Sequence, residues 1–222
     1  MYMDPKMEVD KTATLVANAV DVAIKSLKLS DKDYGLMDDD NKVNLDNPEH
    51  RAAAKEFFDE MDLMKEIGSH QNVVNLIGVC TQDRPYLIVI EFCGEGDLRG
   101  FLQKRRSKAG KEQQVDKDDM YDYAIQVANG MEHLSVEHRI VHRDLAARNV
   151  LVKNVQGVNV CKVSDFGLAR DVYEEDFYQK AENGVMAIKW MAPEALTDRI
   201  FTTKGDVWSF GIVMWEISTL GY

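Results

Sequence analysis

The sequence predicts an α+β fold with two lobes, a small strand-rich one over residues 1–93 and a helical one over residues 94–222. Three observations predict it. Before Gly94, short β-rich runs surround a single helical segment. After Gly94, apolar residues recur at helical spacing. The length of 222 residues suits one domain or two small ones, and a chain of this size buries roughly 70% of its unfolded surface, enough for a core without staples.

In the first lobe, Val22 to Leu27 is a short apolar run that carries Lys25. Asn47-Pro48 sets a capping residue before a proline at the first helical position, and Gly68 closes that helix. Phe57, Met61 and Met64 fall on one of its faces. Val73 to Cys80 and Tyr86 to Phe92 read as strands around the turn-forming Thr81-Gln82-Asp83-Arg84-Pro85. Phe92 to Gly96 is the connector. In the second lobe, Met120, Ala124, Val127, Met131 and Leu134 form a helical stripe, with Asp116 and Asp118 as candidate caps. Val150 to Val152 and Val158 to Val163 are short strands. Asp206 to Leu220 is apolar nearly all round, which predicts a helix buried on most sides.

Composition bounds the function. Apolar residues at 45% and charged residues at 29% exclude wholesale disorder. Cys80, Cys93 and Cys161 form no C-x-x-C pair, so neither a disulfide framework nor a cysteine zinc site is expected, and a reducing compartment fits. No apolar run approaches the ~18 residues of a membrane span and the N-terminus has no signal-peptide pattern. The expectation is a cytosolic globular domain or the cytosolic piece of something larger. A net charge of −11 argues against broad binding of nucleic acid or anionic lipid. From Asp31 to Glu60 ten acidic residues face four basic ones. The opposite run, Lys104, Arg105, Arg106, Lys108 and Lys111, reads as a solvated loop or a docking patch.

The chemistry is concentrated in His142-Arg143-Asp144-Leu145-Ala146-Ala147-Arg148-Asn149, followed sixteen residues later by Asp165-Phe166-Gly167 and then by Ala192-Pro193-Glu194. With Val22-Ala23-Ile24-Lys25 upstream, the order and spacing match the signature set of protein kinases. Phosphoryl transfer needs positioning and charge neutralisation more than covalent chemistry. Lys25 is placed to hold nucleotide phosphates, and Glu60, one residue before apolar Met61, is the chosen partner for it, with Glu56 as competitor. Asn149 and Asp165 supply oxygen ligands for Mg2+. Asp144 accepts the hydrogen bond of the substrate hydroxyl as base. No partner at ligand spacing supports a zinc role for His142.

Ala146-Ala147-Arg148, Lys189-Trp190-Met191-Ala192-Pro193-Glu194 and Asp206-Val207-Trp208-Ser209-Phe210-Gly211 resemble receptor-type tyrosine kinases. Cys80-Thr81-Gln82-Asp83, Asp165 to Asp171 and Asn183-Gly184 are similar to the fibroblast-growth-factor receptor kinases, whereas Tyr173-Glu174-Glu175-Asp176-Phe177-Tyr178 is closer to the insulin-receptor activation segment. The resemblance covers Val22 to Leu220. It implies a two-lobed protein kinase fold that transfers the γ-phosphate of ATP, with Mg2+, to protein tyrosine hydroxyls. It implies a plasma-membrane receptor's intracellular part, self-associating as a dimer and joined to the membrane through a segment outside this chain. Carried over by position, Ile90 is the gatekeeper, Glu91 and Cys93 bond adenine through their backbones, and Ala23 and Leu151 sandwich the ring. Asp144, Arg148 and Asn149 belong to the catalytic loop, and Met64, His142 and Phe166 to the stacked column of the active arrangement. Tyr178 is the favoured phosphorylation site, with Arg143 as partner and Tyr173 second.

Departures from the family pattern carry expectations of their own. No glycine precedes Gly35, so the glycine-rich phosphate loop is missing before Lys25. The chain stops at Tyr222, soon after the Asp206–Leu220 helix, where the family adds helices. Both lobes are therefore expected to be incomplete, with Trp208, Val213 and Trp215 short of cover and Glu194 an unpaired buried carboxylate. Ala187 replaces a proline that packs on substrate tyrosine. The acidic insert over residues 30–50 reads as a disordered loop or, less simply, a calcium loop. The rivals to an active kinase are a pseudokinase acting as a binding module and an inactive fragment.

Overall fold

The computed structural model describes residues 7–8, 21–27, 48–82, 85–107, 115–171, 178–179 and 187–222. They form two compact units, Met1–Gly68 with Asn75–Phe92, and Ser69–Val74 with Cys93–Tyr222. The acidic insert, apart from its last residues, and Tyr173 lie outside the described residues.

In the first unit, β1 (Met7–Glu8), β2 (Val22–Ser26), β3 (Leu76–Cys80) and β4 (Leu87–Glu91) build an antiparallel sheet in the order β1-β2-β4-β3. Lys25 stands opposite Ile88 in the β2–β4 register, and the β3–β4 register shifts between Leu76 and Gly78. The edge strand β1 is absent from the sequence reading because two residues carry no readable alternation. Helix α1 (Pro48–Ile67) begins at the proline, and Gly68 follows it at φ 68°, the left-handed conformation that ends helices at low cost for glycine. Phe57, Met61 and Met64 are buried as their spacing predicts, together with Ala54, Leu63 and Ile67.

The second unit starts with β5 (Gly96–Asp97), α2 (Leu98–Ser107) and α3 (Lys117–Glu132). Asp116 caps α3, its side chain accepting from Asp119 N–H at 2.7 Å. The predicted stripe needs one correction. Tyr123, not Met120 or Ala124, takes the buried place beside Val127 and Met131, and Leu134 falls in a π-helical turn, His133–Glu137. Then come β6 (Ile140–Val141), a 3-10 turn at Ala147–Asn149, β7 (Val150–Val155) and β8 (Val158–Val163). The short strands β9 (Arg170–Asp171) and β10 (Tyr178–Gln179) precede a 3-10 turn (Ile188–Trp190), α4 (Pro193–Thr197), β11 (Ile200–Phe201) and α5 (Thr203–Ser218). The pairings are β5-β7-β8, β6-β9 and β10-β11.

The strand expected from Val73 begins only at Leu76, because the preceding residues bond elsewhere. Val74 N–H donates to Val163 O at 2.9 Å and Val163 N–H to Asn72 O at 2.8 Å. A β-rich run signals extended backbone, not which partner it will find. Gly130 on α3 faces this crossing. A Cβ there would run into Asn72 O and come within 2.9 Å of Val163 Cγ2.

The last helix is also less buried than expected. Asp206, Ser209, Val213, Glu216 and Ile217 form its buried stripe. Val207 is 68% exposed, Trp208 48% and Trp215 51%. The apolar surround therefore marks one covered stripe and one uncovered face. Val213 is fully buried, against expectation, and Glu194 is only half-buried. No helix among the described residues is long and apolar enough to cross a membrane.

Candidate active site

In the first unit, the structure brings Lys25 and Glu60 together as an ion pair, Nζ to Oε2, across 35 residues. Strand β2 delivers the lysine and the inner face of α1 the glutamate. Glu60 is buried, whereas Glu56, one turn earlier, is exposed. Ala23 and Ile90 are buried in the same unit, as is Met64. Glu91 is buried with its carboxylate committed, since Oε1 accepts from Asn75 N–H at 2.8 Å while its own N–H donates to Asn75 O at 3.0 Å.

In the second unit, the segment from His142 to Asn149 is fixed from several sides. Asp144 pairs with Arg148 Nη2 through Oδ1, and its Oδ2 accepts from Asn149 Nδ2 at 2.8 Å. The same Nδ2 also donates to Asp144 O at 2.7 Å. Two donors thus aim one carboxylate, the geometry a base requires. The Arg148 guanidinium lies 4.6 Å from the Trp190 ring centroid, a cation–π contact. Leu151, just after the loop on β7, is half-buried, and Cys93 is buried with its carbonyl accepting from Gly96 N–H at 3.2 Å.

Two acids of α5 hold this loop. Asp206 Oδ2 accepts from His142 N–H at 2.7 Å and Oδ1 from Arg143 N–H at 3.0 Å. Burial pushes the Asp206 carboxyl above its ordinary range, while the amide donors of His142 and Arg143 and the Arg143 charge pull it back. Glu216, 1% exposed, accepts on Oε2 from Ala147 N–H at 2.9 Å and Trp190 Nε1–H at 3.0 Å. Its Oε1 has no partner among the described residues. The buried, half-satisfied carboxylate expected at Glu194 is therefore found at Glu216. Neither acid had a role in the sequence reading. Their signal was present: a charged residue inside an apolar helix must find donors when it is buried.

His142 is fully buried. Its Nδ1 accepts from Asp144 N–H at 3.3 Å, which puts the ring proton on Nε2, 3.0 Å from Ser164 O. Its ring packs 5.9 Å from that of buried Phe166. Asp165 is exposed at φ 64° and Arg143 has φ 67°. Left-handed backbone at a non-glycine residue costs of order 1–3 kcal/mol and is kept where the surroundings over-determine it. Arg143 Nε donates to Leu168 O, and its guanidinium lies 5.6 Å from the Phe201 ring. Tyr178 pairs through its backbone with that same Phe201 in the β10–β11 ladder.

The donor set suits Mg2+. The Asn149 amide nitrogen is spent on Asp144, leaving Oδ1 as its ligand atom, and the Asp165 carboxylate is exposed. Together they offer the hard oxygens that this cation selects. Burial pushes the Cys161 thiol up to about 12, so it is an inert core residue.

A family model for protein tyrosine and serine/threonine kinases matches residues 40–222. The match takes in Glu60, the loop from His142 to Asn149, Asp165 and Glu216, while Ala23 and Lys25 precede it. The chain belongs to this family of protein kinases, and its α+β architecture is that of a kinase domain, a strand-rich part followed by a helical one.

Proposed function

We propose that the chain is the catalytic domain of a receptor-type protein tyrosine kinase, transferring the γ-phosphate of ATP to tyrosine hydroxyls. The observation that carries the proposal is the Asp144 carboxylate, aimed by Arg148 and Asn149 on a loop anchored at both ends to α5. Asp144 accepts the hydrogen bond of the tyrosine O–H and takes its proton as that oxygen bonds to the γ-phosphorus and the bond to the ADP oxygen breaks. Lys25, held by Glu60, neutralises the α and β phosphates. Asn149 and Asp165 would hold Mg2+, which when bound would supply further charge neutralisation on the phosphates. Ala23, Ile90, Glu91, Cys93 and Leu151 are the adenine-binding residues of this reading.

Tyrosine selectivity is supported by Ala146-Ala147-Arg148, which puts the cation four residues after Asp144, where serine/threonine kinases usually carry a lysine two residues after it. The receptor reading rests on resemblance. It puts the chain on the cytoplasmic side of the plasma membrane, activated by pairing of two copies and by phosphorylation of Tyr178, with Tyr173 the second candidate. A phosphate adds about −1.5 to −2 charges, enough to draw Arg143 from the Leu168 carbonyl. A second reading, a nucleotide-binding module with no turnover, is favoured by the absence of any glycine before Gly35.

The test is transfer from Mg·ATP to a Glu/Tyr copolymer and to a serine/threonine substrate. Tyrosine phosphorylation that falls about 10²–10⁴-fold in Asp144→Asn is the expected result. Phosphate appearing on serine alone overturns the tyrosine reading. Nucleotide binding with no transfer by the phosphorylated wild type selects the binding module.

A further inference from the structure

Outside these residues, the geometry points to a second site: we propose that His133, Glu137 and His138 bind a divalent transition-metal ion of the zinc class. The site is a product of local backbone. After α3 the chain continues into the π-helical turn His133–Glu137, and i→i+5 winding brings side chains four and five residues apart onto one side. The ligand atoms of His133, Glu137 and His138 lie within 4.8 Å of one another. His133 Nδ1 is 2.8 Å from Glu137 Oε2, and the His138 ring stands 4.7 Å from that of His133 at 75°.

The cluster is built on one side and open on the other. His133 is 8% exposed and stacks on His70, ring centroids 4.4 Å apart and 12° from parallel. Asn72 N–H donates to His70 Nδ1 at 3.1 Å, which holds that ring as a wall behind His133. Glu137 is exposed and His138 half-buried, so an ion enters from solvent.

Two imidazole nitrogens and one carboxylate oxygen make the three-ligand set that zinc accepts with a water as fourth. Bonds of 2.0–2.1 Å in a tetrahedron put ligands about 3.4 Å apart. The widest separation must therefore close by no more than about 1.4 Å, within reach of side-chain rotation at Glu137 and His138. Mg2+ and Ca2+ prefer oxygen alone, so the ion that serves phosphate transfer does not compete here. The bound metal would staple the turn that leads through Arg139 into β6 and then to His142.

The test is a Zn2+ titration of the 222-residue chain in excess Mg2+, read by competition with a chromophoric chelator and by the thermal midpoint. One equivalent is expected to bind and raise the midpoint, with affinity lowered at least ~10-fold in Glu137→Gln and in His138→Gln. Glu137 is exposed and His138 half-buried, and metal-free midpoints equal to wild type show that the variants fold. Co2+ in place of Zn2+ should give visible ligand-field absorption that His138→Gln removes. A Cys80→Ser variant should bind as wild type does. No binding by wild type, binding unchanged in both cluster variants, or binding lost with Cys80 overturns the site.

Discussion

The Lys25–Glu60 pair and the His142–Asn149 loop are built on opposite principles. The pair joins a strand to a helix across 35 residues by an ion pair between two side chains. The loop spans eight residues and is bonded from outside at His142, Arg143 and Ala147 by two buried acids, and from within by Arg148 and Asn149. The difference is that between a contact that is made and a shape that is enforced. Enforcement lets Arg143 persist at a backbone angle it would otherwise leave. The lysine's partner is selected by position on α1, with one turn deciding between Glu60 and Glu56.

Three substitutions sharpen this contrast. Asp206→Ala leaves two buried amides without an acceptor and should cost about 3–5 kcal/mol in chemical denaturation of the second unit. A loss below 1 kcal/mol would mean that the loop holds its own shape. Glu216→Gln keeps one oxygen for the Ala147 and Trp190 donors and gives the unpartnered Oε1 position a donor group. About 1–3 kcal/mol is expected, together with a shift in Trp190 fluorescence. Glu60→Gln leaves Lys25 an acceptor and should cost about 1 kcal/mol or less, while nucleotide affinity, followed by the thermal shift with Mg·ATP, falls. Equal losses in Glu60→Gln and Asp206→Ala would erase the distinction.

The Asp206 carboxyl adds a pH test. Its value is raised in the folded state, so its relative stabilising contribution is present below the ordinary carboxylate value of 3.8 and is lost as pH rises through the raised one. The midpoint of Asp206→Asn should lack that component of the acid-side slope, and identical slopes in variant and wild type would assign it to other groups.

Much of this site was readable because its residues are close in sequence. The segment from His142 to Asn149 announces itself by type and order, and Glu60 by standing next to Met61 on the apolar face of α1. What stayed hidden depends on distant partners. Nothing in the sequence around Asp206 and Glu216 points to their donors, 64 and 69 residues away. The π-turn gave no periodic signal in five residues, so the histidines around it went unremarked. Strand composition likewise identified Val73 and Val74 as extended without revealing that Val163 bonds to the residues on either side of Val73, Asn72 and Val74.

That last bond bears on how the molecule can be divided. The chain passes between its two units three times, at Gly68/Ser69, Val74/Asn75 and Phe92/Cys93. A polypeptide started at Cys93 would lack the short guest segment that occupies the groove beside Gly130 and completes the edge of β8. The units are therefore not interchangeable cassettes. Recombination or proteolysis at the apparent connector would yield one piece carrying a stray insertion and another missing a rib.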